Sequence, residues 1–147
     1  MTYNKKVIKF PSPGLWRFWD FIYEDGTNPI ERWYINDLSD EARFTFDTLL
    51  KDIRKINNHL EWGCWRGYLR GKLREQRIWE IGFFSDGRQY RILGVFRGSK
   101  QAILLVGCYH KQKNYTPTDA LNSAYVRSKA LSEGKGTCHE RKIRIDQ

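Results

Sequence analysis

The sequence predicts an α+β domain in which an antiparallel sheet of about four to five strands carries two N-terminal helices on one face and is followed by a C-terminal helix. Two observations favour this class. Between residues 40 and 56 apolar side chains recur at helical spacing and form one amphipathic stripe. Between residues 78 and 109 three apolar runs are separated by short turns, which is typical of an antiparallel meander. Basic residues are then expected to line the face of the sheet that the helices leave open.

The first elements are a strand and a helix. Residues 16–23 are dense in aromatic side chains, which suits a strand. A turn signal follows, and Asn28 before Pro29 predicts an N-cap with proline at the first helical position. This helix is expected to run to about Leu38.

The second helix is longer and carries the amphipathic stripe. Ser39 or Asp40 is the expected N-cap, and the helix is expected to end near Asn57 and Asn58. Because few residues join the two helices, they should form an antiparallel pair.

The second half reads as strands followed by a helix. Residues 65–73 hold a strand or an extended loop, and clearer strands are predicted at 78–84, 89–96 and 102–109. The last of these is apolar on both faces, which indicates a central strand. Turn signals at 85–88 and 97–100 predict hairpins. Thr116-Pro117 should start a last helix that runs to about Leu131.

The chain has 147 residues, 40% of them hydrophobic, which is enough for one domain with a real core and excludes wholesale disorder. We expect an irregular arm at 1–14, one domain at 15–131 and a polar mobile tail at 132–147. No run of 18 apolar residues and no secretory signal is present, and three cysteines fit a reducing compartment. We therefore expect a cytoplasmic protein with no membrane partner.

Most of the positive charge lies in the middle of the chain. The formal net charge is +9, and residues 66–113 hold eleven basic and three acidic side chains. A positive block of this kind attracts polyanions, so nucleic acid is the expected partner, although hydrated surface charge is the alternative.

Two clusters could carry chemistry. Arg91 shares a strand face with Leu93 and Val95, where a guanidinium is costly unless it meets an anion or pairs with Glu80 on the adjacent strand. Residues 109–117 place an imidazole, two ammonium groups and a phenol after the central strand; the alternative is a solvated basic loop. The Cys108-x-His110 and Cys138-His139 pairs lack the spacing of a zinc site, so neither a metal nor a cofactor is expected.

The stretch from about Trp79 to Ala130 resembles the RelE/HigB superfamily of bacterial toxins, in its HigB-like, phage-associated branch, and the upstream elements extend this likeness to about residues 16–131. The motifs that carry the resemblance are Trp79-Glu-Ile81, Gly87-Arg-Gln-Tyr-Arg91, the strand at 103–109, Lys111-Gln-Lys113, Thr116-Pro117 and Ala124-x-x-Arg127.

The resemblance implies a RelE-like fold and the toxin of a type II toxin–antitoxin system. Its activity would be endoribonuclease cleavage of mRNA on the ribosome, with the 2′-OH as nucleophile and without a metal, and it would block translation. A helix-turn-helix antitoxin would be its partner.

The same resemblance implies roles for individual residues. Arg91 matches the arginine that contacts the scissile phosphate, Lys111 and Lys113 match the basic loop, and His110 and Tyr115 are candidates for general base or acid. Further RNA contacts are expected from five nearby cations. These are Arg74, Arg77, Arg88, Arg97 and Lys100.

Departures from the family pattern, among them an extra tail beyond Leu131, keep other functions open. Gly82 stands where the family has an arginine, and Gln112 splits the usual lysine pair. Arg74 or Arg77 would have to replace the missing arginine. A non-catalytic module that binds nucleic acid or protein is therefore the main alternative, and a gyrase-directed toxin of the same fold is a further one.

Overall fold

A computed structural model describes residues 14–144 of the chain. It has an α+β architecture with a mixed, open sheet. The predicted arm lies outside the described residues except for Gly14, and so do residues 145–147.

The described residues contain seven strands and four α-helices. The strands are β1 (Arg17–Tyr23), β2 (Trp65–Tyr68), β3 (Trp79–Ser85), β4 (Arg88–Phe96), β5 (Gln101–Lys111), β6 (Asn114–Thr116) and β7 (Gly136–Glu140). The helices are α1 (Pro29–Asn36), α2 (Asp40–Ile53), α3 (Lys72–Glu75) and α4 (Ala120–Ser132), and a 3-10 helix covers His59–Glu61.

The sheet follows the order β2-β3-β4-β5-β1-β7, and β6 pairs with the end of β5. Strands β1 and β5 are parallel, whereas the other pairs are antiparallel. The prediction of four to five strands is therefore too low. The additional strands β6 and β7 are short and mostly polar, and pairing with β5 and β1 gives them strand structure that their own sequence does not signal.

The predicted starts of the first two helices are confirmed. The side chain of Asn28 accepts from the backbone N–H of Glu31 at 2.8 Å, and Ser39 accepts from the N–H of Ala42 at 3.1 Å. Helix α2 ends at Ile53, earlier than expected, and the indole N–H of Trp16 donates to the carbonyl of Ile56 at 3.0 Å. A tertiary hydrogen bond thus uses a carbonyl group beyond the end of the helix.

Helices cover both faces of the sheet. Residues of α1 and α2, such as Ile30 and Phe46, pack in one core with Ile92 of β4, which confirms the expected position of the two N-terminal helices. Ala120 and Ala124 of α4 pack in a second core with β4 and β5. The expectation of one open, basic face is therefore wrong where α4 lies.

The start of α4 also differs from the prediction. It begins at Ala120 rather than at Thr116-Pro117, because residues 114–116 pair with β5 as β6. The linking residues 117–119 then bring the chain onto the second face of the sheet.

The end of the chain is more ordered than expected. Strand β7 pairs with β1, and Arg141 is buried against Asp20 at 2.7 Å. The expected mobile tail at 132–147 does not hold for residues 136–141. The segment pairs with the edge of β1, and Arg141 binds the buried carboxylate of Asp20. Neither partner is close to the segment in the sequence.

Candidate functional site

Three strands bring the predicted catalytic side chains to the face of the sheet on which α4 packs. His110 of β5 pairs in register with Tyr115 of β6, and Arg91 of β4 pairs with Cys108, two residues before His110. Because side chains alternate along a strand, Arg91, Cys108 and His110 share one face. The sheet therefore brings together residues that are up to 24 positions apart.

Glu80 of β3 is the centre of this group, which we call the Glu80 cluster (Glu80, Arg91, His110 and Tyr115). Its Oε2 atom lies 2.9 Å from Arg91 Nε and 3.8 Å from His110 Nε2, and its Oε1 atom accepts a hydrogen bond from the Tyr115 hydroxyl at 3.1 Å. The His110 and Tyr115 rings meet edge to face, with centroids 4.3 Å apart. The salt bridge that was the alternative interpretation of Arg91 is thus confirmed.

The ion pair between Arg91 and Glu80 is close, but it is not a well-aligned hydrogen bond. The Arg91 Nε–H is not directed at Glu80 Oε2, and that oxygen is buried without a hydrogen-bond donor. Arg91 Nη1 instead donates to the carbonyl of Tyr90 at 3.0 Å. The side chains of Arg91 and Glu80 are only 11% and 10% exposed, so most of their interaction is sheltered from solvent.

Gly82 provides the space in which the Arg91 guanidinium lies. A Cβ atom at position 82 would be 2.6 Å from Arg91 Nη1, well inside van der Waals contact. Glycine at position 82 is therefore coupled to the position of the Arg91 guanidinium.

The cluster sets the protonation of its two aromatic members. Burial, assisted by the charge of Arg91, lowers the pKa of His110, so its imidazole is neutral at pH 7. Burial and the carboxylate of Glu80 raise the pKa of Tyr115, so its phenol stays protonated. His110 can therefore accept a proton, and Tyr115 can donate one.

Lys111 and Lys113 lie at the tip of the hairpin that joins His110 to Tyr115. Both are exposed, and Gln112 between them has a positive φ of 63°. The predicted basic loop is thus a tight β-turn at the border of the Glu80 cluster.

The five predicted RNA-binding cations are spread over the molecule. Arg88 lies over the ring of Tyr109 on the opposite face of the sheet, and Arg97 and Lys100 lie in the turn between β4 and β5. Eight positions separate Arg97 from Gln89, the strand partner of His110, so this turn is roughly 25 Å from the cluster. Arg74 and Arg77 are exposed in and just after α3, where Arg77 donates to the Tyr68 hydroxyl.

Sequence reasoning placed Glu80 only as a partner of Arg91 and did not include Arg66. The charge of Arg66, on edge strand β2, helps to lower the pKa of His110, so this exposed cation is near the cluster. A carboxylate between Trp79 and Ile81 in an apolar run was the available signal for Glu80. No sequence signal pointed to Arg66, because the sequence left residues 65–73 open between a strand and a loop.

Two cavities lie away from the cluster. One of about 360 Å³ lies between α1 and the start of α4, with Trp33 and Arg127 in its wall, and one of about 480 Å³ is lined by Trp33, Arg88 and Tyr109. Together they form a groove beside α1, and the sheet separates its Arg88 end from the Glu80 cluster. Neither cavity is lined by a member of the Glu80 cluster.

Within residues 14–144, no group of three or more histidine, cysteine, aspartate or glutamate side chains is placed to hold a metal ion. No helix in the same part of the chain is long and apolar enough to cross a membrane.

A family model described as phage-derived protein Gp49-like (DUF891) matches residues 34–129, about two thirds of the chain. No significant match was found among curated proteins or solved structures. The matched region contains every member of the Glu80 cluster and both lysines of the adjacent turn. The chain therefore belongs to the family of phage-derived Gp49-like proteins, which is associated with toxin–antitoxin systems.

Proposed function

We propose that this protein is the toxin of a type II toxin–antitoxin system and that it cleaves mRNA on the ribosome in the manner of the RelE/HigB superfamily. The observation that carries the proposal is the convergence of Arg91, His110 and Tyr115 on Glu80, beside the exposed Lys111 and Lys113. Membership of a family associated with toxin–antitoxin systems supports the same biological role.

The proposed reaction is attack of a ribose 2′-OH on the adjacent phosphate, with departure of the 5′-oxygen. Neutral His110 takes the proton of the 2′-OH, and protonated Tyr115 gives one to the leaving oxygen. Arg91 stabilises the charge of the phosphorane, and Lys111 and Lys113 hold neighbouring phosphates.

Glu80 has to move before this reaction begins. Its carboxylate neutralises Arg91, and His110 Nε2 is buried facing it. An incoming phosphate therefore competes with Glu80 for Arg91. Because Glu80 already occupies Arg91 and faces His110, the same arrangement favours a second candidate function. This candidate is a non-catalytic module that binds nucleic acid or protein.

Induced expression from a tightly controlled promoter distinguishes these functions. A nuclease toxin stops growth, lowers the incorporation of labelled amino acids and fragments mRNA. If the soluble protein accumulates while growth and mRNA stay intact, the proposed function is wrong. An early DNA-damage response with intact mRNA would instead indicate a gyrase-directed toxin.

The substitution Gly82→Ala tests whether the position of Arg91 matters. The new Cβ would lie 2.6 Å from Nη1 and 3.1 Å from Cδ and Cζ of Arg91, so it displaces the buried guanidinium from Glu80 and should lower the free energy of unfolding by about 1–3 kcal/mol. We expect mRNA cleavage to fall at least about ten-fold, which corresponds to the loss of one weak charged contact. Thermal unfolding and a cleavage assay give the two values, and full activity in a stably folded variant would contradict the role of Arg91.

A further inference from the structure

Phe84 is an exposed aromatic side chain on the same face of the sheet as the Glu80 cluster. Its ring is 61% exposed, and among the exposed large apolar side chains of residues 14–144 it is the only one in a strand. Single exposed apolar residues are common on helices and loops, so Phe84 is of interest because of its neighbours on the sheet.

Strand pairing places Phe84 in one row with the proposed catalytic groups. Phe84 of β3 pairs with Gln89, Gln89 with His110, and His110 with Tyr115. Neighbouring strands are roughly 4.8 Å apart, so Phe84 and His110 are about 10 Å apart across the sheet. Helix α4 packs mainly on β5, and the ring of Phe84 stays open to solvent.

The guanidinium of Arg91 reaches from β4 onto β3, the strand that carries Phe84. This group lies on Gly82, two residues before Phe84 on the same face, a separation of about 7 Å. A nucleotide has its phosphate and its base at a comparable separation. A phosphate bound by Arg91 would therefore bring an adjacent unpaired base within reach of the Phe84 ring.

Gln89 adds a polar group near the guanidinium of Arg91 and beside Phe84, its partner on β3. It is exposed, and its Oε1 atom is 3.5 Å from Arg91 Nη1. A side-chain amide can donate to and accept from the edge of a base. An aromatic ring beside cations is the usual arrangement by which proteins bind single-stranded nucleic acid.

We propose that Phe84 is the stacking platform for one unpaired base of single-stranded RNA, next to the phosphate bound by Arg91. The inference rests on the proposed function, because it assumes that RNA is the ligand of the Glu80 cluster. It adds a base subsite that does not take part in bond breaking.

Binding of a 2′-O-methyl oligoribonucleotide to the purified full chain tests this subsite, because that RNA lacks the attacking hydroxyl. We expect Phe84→Ala to weaken binding about ten-fold and Phe84→Trp to retain it. Phe44→Ala is the matched control, since Phe44 is 63% exposed on α2, and it should leave binding unchanged. An oligonucleotide that lacks the contacted base should bind the wild-type chain about ten-fold more weakly and should bind Phe84→Ala without further loss.

The outcomes separate this inference from the proposed function. If the wild-type chain cleaves mRNA while Phe84→Ala binds and cleaves normally, the subsite is wrong and the nuclease stands. In a second outcome, the wild-type chain binds RNA without cleaving mRNA. If Phe84→Ala then weakens RNA binding and Phe44→Ala does not, the base subsite is supported and the nuclease function is wrong. Equal losses of RNA affinity in Phe84→Ala and Phe44→Ala would overturn the subsite. It would also be overturned if Phe84→Ala bound RNA normally but no longer bound a co-expressed protein partner.

Discussion

Replacement of Arg91 by alanine is expected to abolish growth inhibition and to lower mRNA cleavage by about 10²–10³-fold. Arg91 is the only member of the Glu80 cluster with a permanent positive charge, so it is the group that can stabilise a phosphorane there. Loss of one such preorganised donor typically has an effect of this size. Growth after induction and mapping of mRNA ends measure it.

The control must separate lost catalysis from lost folding. Arg91→Ala leaves the carboxylate of Glu80 buried without its cation, which lowers stability on its own. Glu80→Gln combined with Arg91→Ala removes that charge and should restore folding without restoring cleavage. Arg97→Ala removes the same charge from the distant turn and should keep most of the activity. A soluble Arg91→Ala variant that still cleaves mRNA would show that Arg91 is not a catalytic residue.

The sequence predicted the elements whose signals are local. Asn28 and Ser39 cap helices with their own side chains, and the turn at 85–88 joins two strands as expected. The meander β3-β4-β5 then follows from hairpin connectivity, so the convergence of Arg91 and His110 could be expected as well. Local propensity is a good guide wherever the partners are close in the chain.

The features that were missed depend on partners far away in the chain. Strand β7 forms on β1, more than 110 residues earlier, and its polar sequence resembles a loop. The central position of Glu80 depends on Tyr115, which reaches it only because β6 folds back along β5. Helix α4 packs on the second face through small residues, and its apolar stripe is weak. The sequence pattern therefore did not indicate which side of this helix is buried.

Replacement of Arg141 by alanine should lower the free energy of unfolding by about 3–5 kcal/mol, the usual effect of breaking a buried ion pair. Its side chain is 1% exposed, contacts Asp20 at 2.7 Å and lies over the ring of Tyr34. The matched control is Arg17→Ala, because Arg17 of β1 pairs with Glu140, the residue before Arg141, and this pair is 37% exposed on both sides. That variant should lose no more than about 1 kcal/mol, as surface pairs do.

The pH dependence of the Arg141→Ala variant identifies the cause of its instability. Burial raises the pKa of Asp20 even with Arg141 present, and without that cation the pKa should rise further. Between the ordinary pKa and the higher folded value, the folded state binds more protons, so stability falls as the pH rises through this interval. The deficit of the variant should therefore shrink on acidification from pH 7 to pH 5. A lost packing contact alone would give the same deficit at both pH values, and the double variant Asp20→Asn with Arg141→Met should recover most of the stability with no such pH dependence.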